Sequence, residues 1–140
     1  MVGGFILIGM TYLIVKHYVV DFTRLQTPWM YLNKGKYGHP GGLVHSLLQA
    51  VMSAPLFLWA VTQSDGYALA TWYKLAQLQM VGVLILLEFL VHYHMDWFKV
   101  WLQTKKGWLP HTSPHYWSLL GVDQMVHHLT YVTMLAIWVA

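Results

Sequence analysis

No cysteine occurs among the 140 residues, which excludes disulfides and thiolate metal sites. Charge is scarce as well. Only 9% of residues are charged, against roughly 25% in an ordinary soluble domain, while 57% are hydrophobic and 16% aromatic. Five acids and eight basic residues leave a formal charge of +3, with no dense Lys/Arg run. That balance argues against a nucleic-acid partner and fits loops facing anionic lipid. The N-terminal segment has neither a basic start nor a small-residue cleavage site, so it is expected to be retained as a membrane span. Low-complexity tracts and repeats of fixed period are also missing. Together these absences describe an all-α, polytopic integral membrane protein with a single helical domain over residues 1–140.

The apolar runs divide that domain. Val2 to Val20 is close to the ~20 residues a helix needs to cross a bilayer. Asp21 to Gly42 turns polar and Gly-rich and reads as a loop, with one interfacial turn around Trp29 and Tyr31. Leu43 to Val61 is a second span, expected to kink at Pro55 because proline removes a backbone donor. Ser64, Asp65 and Gly66 form a short turn. A long helical pattern then runs from about Ala68 to Gln103, of which Leu78 to Trp97 crosses. Lys105 to Pro114 is a basic loop, and Tyr116 to Val139 is a fourth span, giving a four-transmembrane-helix bundle. The first loop carries Arg24, Lys34 and Lys36, and Lys99, Lys105 and Lys106 surround the third, whereas Asp65 and Lys74 flank the middle turn. Positive charge therefore places loops one and three in the cytoplasm and both termini outside. Lys16 lies toward the same cytoplasmic end. Trp29, Trp97, Trp101, Trp108 and Trp117 suit an interfacial aromatic belt.

Against this apolar background the polar residues are spaced by helical turns. Glu88, His92 and Asp96 are four apart and share one face of a helix. The same step separates His17 from Asp21, His45 from Gln49 and Asp123 from His127, so every span carries such a pair toward its cytoplasmic half. One pair alone would be a helix-surface contact worth ~0.2–0.5 kcal/mol. Four pairs at one depth need a shared partner, since ionisable groups inside a membrane cost roughly 2.5–3.5 kcal/mol each. Carboxylates and neutral imidazoles on facing helices suit a divalent transition metal, one or two ions of zinc, iron or manganese. The expected ligands are His17, Asp21, His45, His92, Asp96, Asp123 and His127. His94 falls off that face, and His39, His111, His115 and His128 lie in loops, at the interface or about 100° round the helix.

The motifs also form a recognisable set. H-x3-D-F-x3-Q (His17, Asp21, Phe22, Gln26), Trp29-Met30 and Lys34, an isolated His45, H-x3-D-x2-K (His92, Asp96, Lys99) and D-Q-x2-H (Asp123, Gln124, His127) follow one another over nearly the whole chain. In this the sequence resembles the small bacterial and phage membrane proteins grouped as domain of unknown function 3307. The resemblance implies a small polytopic membrane protein of the bacterial inner membrane, that of the host if phage-encoded. It implies no activity. The polar pattern is loosely similar to bacterial membrane-bound metal-dependent hydrolases rich in intramembrane His and Asp, by analogy alone. HExxH, the dense Asp motif of alcohol phosphatidyltransferases and the SGH motif of lipid phosphatases are all missing.

The leading expectation is a membrane-embedded, metal-dependent hydrolase acting at the cytoplasmic face on a lipid-like or phosphorylated substrate. Its metal would activate water and polarise a phosphoryl or acyl oxygen. Glu88, one turn deeper, would support the ligands or serve as general base. Gln26 and Gln124 would orient the substrate, and Arg24, Lys34, Lys36 and Lys99 would meet an anionic headgroup. Partners are the bilayer and an anionic, lipid-like small molecule; a homo-oligomer is left open. Two alternatives stand beside this: an ion- or proton-translocating protein, opposed by the scarcity of ionisable groups in the outer halves, and a non-catalytic phage membrane protein with a structural metal.

Overall fold

The structure, a computed structural model, describes residues 2–63 and 71–140, without the side chains of residues 71 and 72. Six helices follow in order: α1 (Val2–Phe22), α2 (Pro28–Asn33), α3 (Pro40–Val51), α4 (Ala54–Gln63), α5 (Thr71–Lys106) and α6 (Pro114–Val139). No strand occurs among the described residues. The expected turn at Ser64, Asp65 and Gly66 lies outside them, as does the start of the third helical pattern at Ala68.

Local chemistry sets the ends of these elements. Pro28 and Pro40 occupy first-turn positions, where a missing N–H costs nothing. The Thr27 hydroxyl and His39 Nδ1 accept from the exposed amides of Met30 and Gly41 at 3.3 and 3.0 Å. Gly107, at φ +65°, follows Lys106 and ends α5 in the left-handed region that glycine adopts without strain. Between α3 and α4 the chain breaks at Met52 and Ser53, because Pro55 has no N–H to return to Val51. The groups at this break point inward. The Met52 carbonyl accepts from Tyr12 Oη at 2.8 Å, and Ser53 Oγ donates to Glu88 at 2.5 Å.

Among the described residues three helical segments are long and apolar enough to cross a membrane: Val2–Phe22, Pro40–Gln63 and Tyr73–Lys106. This is fewer than the four spans expected. α6 is a 26-residue helix over the expected fourth span, but Asp123, Gln124, His127 and His128 around its middle dilute its apolar character. It packs against α1 and α5.

The surface and interior are reversed relative to a soluble bundle. Leu7, Val15, Leu86, Leu90, Met125 and Leu129 are exposed, while Lys16, Asp21, Lys34, Glu88, Asp96, Lys99 and Asp123 are buried. Four of the chain's five acids are thus inside, and the fifth, Asp65, is outside the described residues. Along the bundle the interior is layered with the period of one helical turn, ~5.4 Å. Leu13, Leu56, Phe57, Leu84, Met134 and Leu135 form an apolar layer. One turn on come Lys16, Gln49, Ser53, Glu88 and Tyr131, then the histidines, then Asp96, Asp123 and Lys99.

The turn carrying Lys34 must lie close to α5 to insert that side chain. Gly35 makes the approach possible: a Cβ there would overlap Val100 Cγ1 and lie 2.8 Å from Val100 Cβ. Val100 is β-branched and cannot rotate away cheaply. Gly35→Ala is expected to destabilise the protein by about 1–3 kcal/mol, the usual cost of overpacking. Thermal unfolding in detergent would measure this, and an unchanged midpoint would show that the turn can move off α5.

Candidate metal centre

Each of the seven expected ligands is buried, and the four helices α1, α3, α5 and α6 bring them together. His45 Nε2 lies 3.0 Å from Asp21 Oδ1, 3.2 Å from Asp96 Oδ2 and 3.2 Å from His92 Nε2. His92 Nε2 is 3.8 Å from Asp21 Oδ1 and 3.5 Å from Asp96 Oδ2. The His92 and His127 rings stack at 4.1 Å between centroids, and the His17 and His127 rings are 5.0 Å apart. His127 Nε2 faces Asp123 Oδ1 at 3.3 Å.

Two three-residue sets offer donor atoms within 4.8 Å of one another: Asp21, His45 and His92, and His92, Asp96 and His127. In the first set the edges of 3.0, 3.2 and 3.8 Å bracket the roughly 3.3 Å separation of ligands held at ~2.0–2.1 Å around a tetrahedral ion. Several buried atoms here also lack hydrogen bonds among the described residues. They are Asp96 Oδ2, Asp123 Oδ1, His127 Nε2 and the Nδ1 atoms of His45 and His92. Asp96 Oδ2 has Lys34 Nζ at 3.1 Å and His45 Nε2 at 3.2 Å without hydrogen-bond geometry to either. Carboxylate oxygens and imidazole nitrogens that face one another without bonding can be satisfied by one cation between them.

The cluster also holds cations of its own. Lys34 and Lys99, expected to meet a headgroup at the surface, are 6% and 7% exposed. Lys99 Nζ donates to Asp96 Oδ1 at 2.9 Å and Asp123 Oδ2 at 2.7 Å, and Lys34 pairs with Asp96. Their burial has a physical cause. Three clustered carboxylates draw in any ammonium on a reachable stem, and two of them leave the group with one uncompensated negative charge. Arg24 and Lys36 are exposed as expected, with Lys36 Nζ held by Asn33 at 2.9 Å.

Glu88 has partners of its own. Its carboxylate is ion-paired with Lys16 and accepts from Ser53, which ties both oxygens to groups outside the histidine cluster. It reaches the histidines through other side chains. Lys16 Nζ also donates to Gln49 Oε1 at 3.1 Å and Tyr131 Oη at 3.2 Å, Gln49 Nε2 donates to Asp21 at 2.7 Å, and Tyr131 meets His17 Nδ1 at 3.0 Å. Gln124 bridges His17 Nε2 and Asp123 at 3.1 and 3.0 Å. Gln26, with its amide oxygen turned to Lys34 Nζ at 3.0 Å, donates to the Asp21 carbonyl at 3.2 Å. Sequence reading paired Gln49 with His45 and set Lys16 toward the cytoplasmic end without giving either a role, and it missed Ser53 and Tyr131. A signal existed: Gln49 and Ser53 continue the four-residue step from His45, and Tyr131 continues it from His127. His94, set aside on the sequence, is exposed and bonded to its own Leu90 carbonyl.

A cleft of about 680 Å³ opens onto this cluster. Asp21, Gln26, Lys34, Lys99 and Gln124 give it polar groups, and Phe22, Leu32, Val100, Trp108, Leu109 and Leu120 give it apolar walls. No protein family, curated protein or solved structure was found to match the chain.

Proposed function

We propose that the chain is a four-span, metal-dependent hydrolase of a bacterial plasma membrane, acting at the cytoplasmic face on an anionic, lipid-like or phosphorylated substrate. The observation that carries this reading is the meeting of the buried His/Asp cluster with the amphiphilic cleft. α6 counts as the fourth span because its polar residues turn into the bundle, where lipid does not meet them. The basic turns on either side of the cleft support a cytoplasmic position for it, and the motif set supports kinship with domain of unknown function 3307.

A single ion suits the geometry. Both ligand sets use His92, and one Nε2 lone pair serves one ion. Asp21, His45 and His92 would hold it with an open fourth position, where zinc, iron or manganese would supply Lewis-acid polarisation and acidify water. The chain's own groups do the rest. Lys34 and Lys99 present ammonium groups to an anionic head at the cleft, the cleft walls take its apolar portion, and Gln26 holds Lys34 in place. The apolar layer from Leu13 to Leu135 closes the interior beyond Lys16 and Glu88, which speaks against an ion path through one chain.

Detergent-purified protein is expected to contain about one transition-metal ion per chain, and chelation is expected to abolish hydrolysis of anionic phospholipid in mixed micelles. Elemental analysis and product release check both. A chain with metal but no hydrolysis would be a membrane protein with a structural ion, and a chain without metal would overturn the reading.

A further inference from the structure

His17 stands between two groups whose hydrogen-bonding roles are not interchangeable. At one end is Lys16, an ammonium that donates only, with Nζ 3.2 Å from Tyr131 Oη. At the other is the Asp123 carboxylate, paired with Lys99 at 2.7 Å and able only to accept. Gln124 Nε2 donates to that carboxylate at 3.0 Å, so the amide oxygen of Gln124 is the atom that faces His17 Nε2, at 3.1 Å. An oxygen there requires a proton on Nε2. In a neutral imidazole the other nitrogen is then an acceptor. Its neighbour, 3.0 Å away, is Tyr131 Oη, which has the donor-only Lys16 Nζ at 3.2 Å on its other side, so the phenol proton goes to His17 Nδ1. Each donor and acceptor is thereby placed in one direction, from Lys16 through Tyr131, His17 and Gln124 to Asp123.

We propose that His17 is a positioning residue locked by this chain in its Nε2–H tautomer, and that the imidazole ligands are His45 and His92 without it. The ligand assignment rests on the metal reading above; the tautomer does not. A nitrogen that carries a proton has no lone pair for an ion. The two donor sets agree, since His45, His92 and His127 occur in them and His17 does not. What His17 holds is Gln124. With its oxygen tied to His17 and one N–H tied to Asp123, Gln124 keeps a second N–H and lines the cleft. Lys16 and Glu88, a full layer from the cleft, thus set the orientation of an amide that meets the substrate.

The test is ¹⁵N NMR of histidine-labelled full-length protein in lipid bicelles, first metal-free and then with zinc alone. His17 is identified without any variant, by the proximity of its Nδ1 to ¹³C-labelled Tyr131 Cζ. The expected metal-free spectrum has a protonated Nε2 and an unprotonated, hydrogen-bonded Nδ1 for His17. Zinc is expected to shift Nε2 of His92 and its co-ligands and to leave His17 Nε2 unchanged. Tyr131→Phe should move the His17 Nδ1 resonance while zinc stoichiometry stays the same. A protonated Nδ1, or a zinc-induced loss of the Nε2 proton, would overturn the proposal. Should zinc bind nowhere, the hydrolase reading falls, yet the metal-free spectrum still decides the tautomer.

Discussion

Asp96→Ala is expected to lower the metal the protein retains under the proposed reading and to destabilise it by several kcal/mol, while His94→Ala, two residues away, changes neither. Asp96 faces four partners from three elements. Lys99 lies at 2.9 Å, Lys34 at 3.1 Å, His45 at 3.2 Å and His92 at 3.5 Å. Removing it leaves two buried ammonium groups short of a counter-charge, and taking one partner from a buried pair typically costs about 3–5 kcal/mol. It also removes the charge that a divalent ion would meet beside His45 and His92. His94 is exposed, with its ring nitrogens on the Leu90 carbonyl and Tyr37 Oη at 2.7 and 3.3 Å. A surface change of that kind stays within about 0.5 kcal/mol. Bound metal per chain and the thermal midpoint, measured for both variants in one detergent, check the contrast. Equal metal retention would mean that the face shared by Glu88, His92 and Asp96 is not the ligand face.

Lys16→Met should also unfold the protein readily, by about 3–5 kcal/mol, because it strands Glu88 in the interior. The informative variant is the double one. Lys16→Met combined with Glu88→Leu replaces a buried ion pair by apolar side chains next to the existing layer of Leu13, Leu84 and Leu135. Such replacements are often neutral or stabilising, so the double variant is expected to recover most of the loss. Denaturant unfolding of the four proteins gives the coupling directly. Losses that merely add would show that the two side chains act separately. Since Glu88 is not among the donor atoms, the double variant should also keep its metal.

Much of this arrangement can be read from residue order. The four-residue steps in α1, α3, α5 and α6 name every buried histidine and carboxylate of the cluster, because a helix brings i and i+4 to one face wherever it packs. Pro55 likewise marks the break between α3 and α4 through its missing donor. The roles of the lysines are not legible in the same way. Lys34 and Lys99 have the same local signature as Arg24 and Lys36, a basic residue beside an apolar run. Only the close approach at Gly35 and Val100 turns Lys34 inward, and only the pairing of α5 with α6 sets Lys99 between Asp96 and Asp123. Glu88 reads as a spare base until Lys16, from α1, and Ser53, at the break between α3 and α4, are seen to meet its oxygens.

By itself the sequence determines an all-helical chain whose apolar runs match a bilayer and whose polar residues fall in stripes, because both follow from hydropathy and the 3.6-residue period. Which stripes face each other, and therefore which donor atoms come within reach of one another, is decided by tertiary packing. Hydrogen-bond direction is decided there as well. His17 and His92 stand at matching positions in their stripes, each with the carboxylate one turn on at 3.6 or 3.5 Å, yet His17 also meets a tyrosine and a glutamine while His92 meets a second imidazole. Those further partners come from other helices, and no spacing within a helix carries that information.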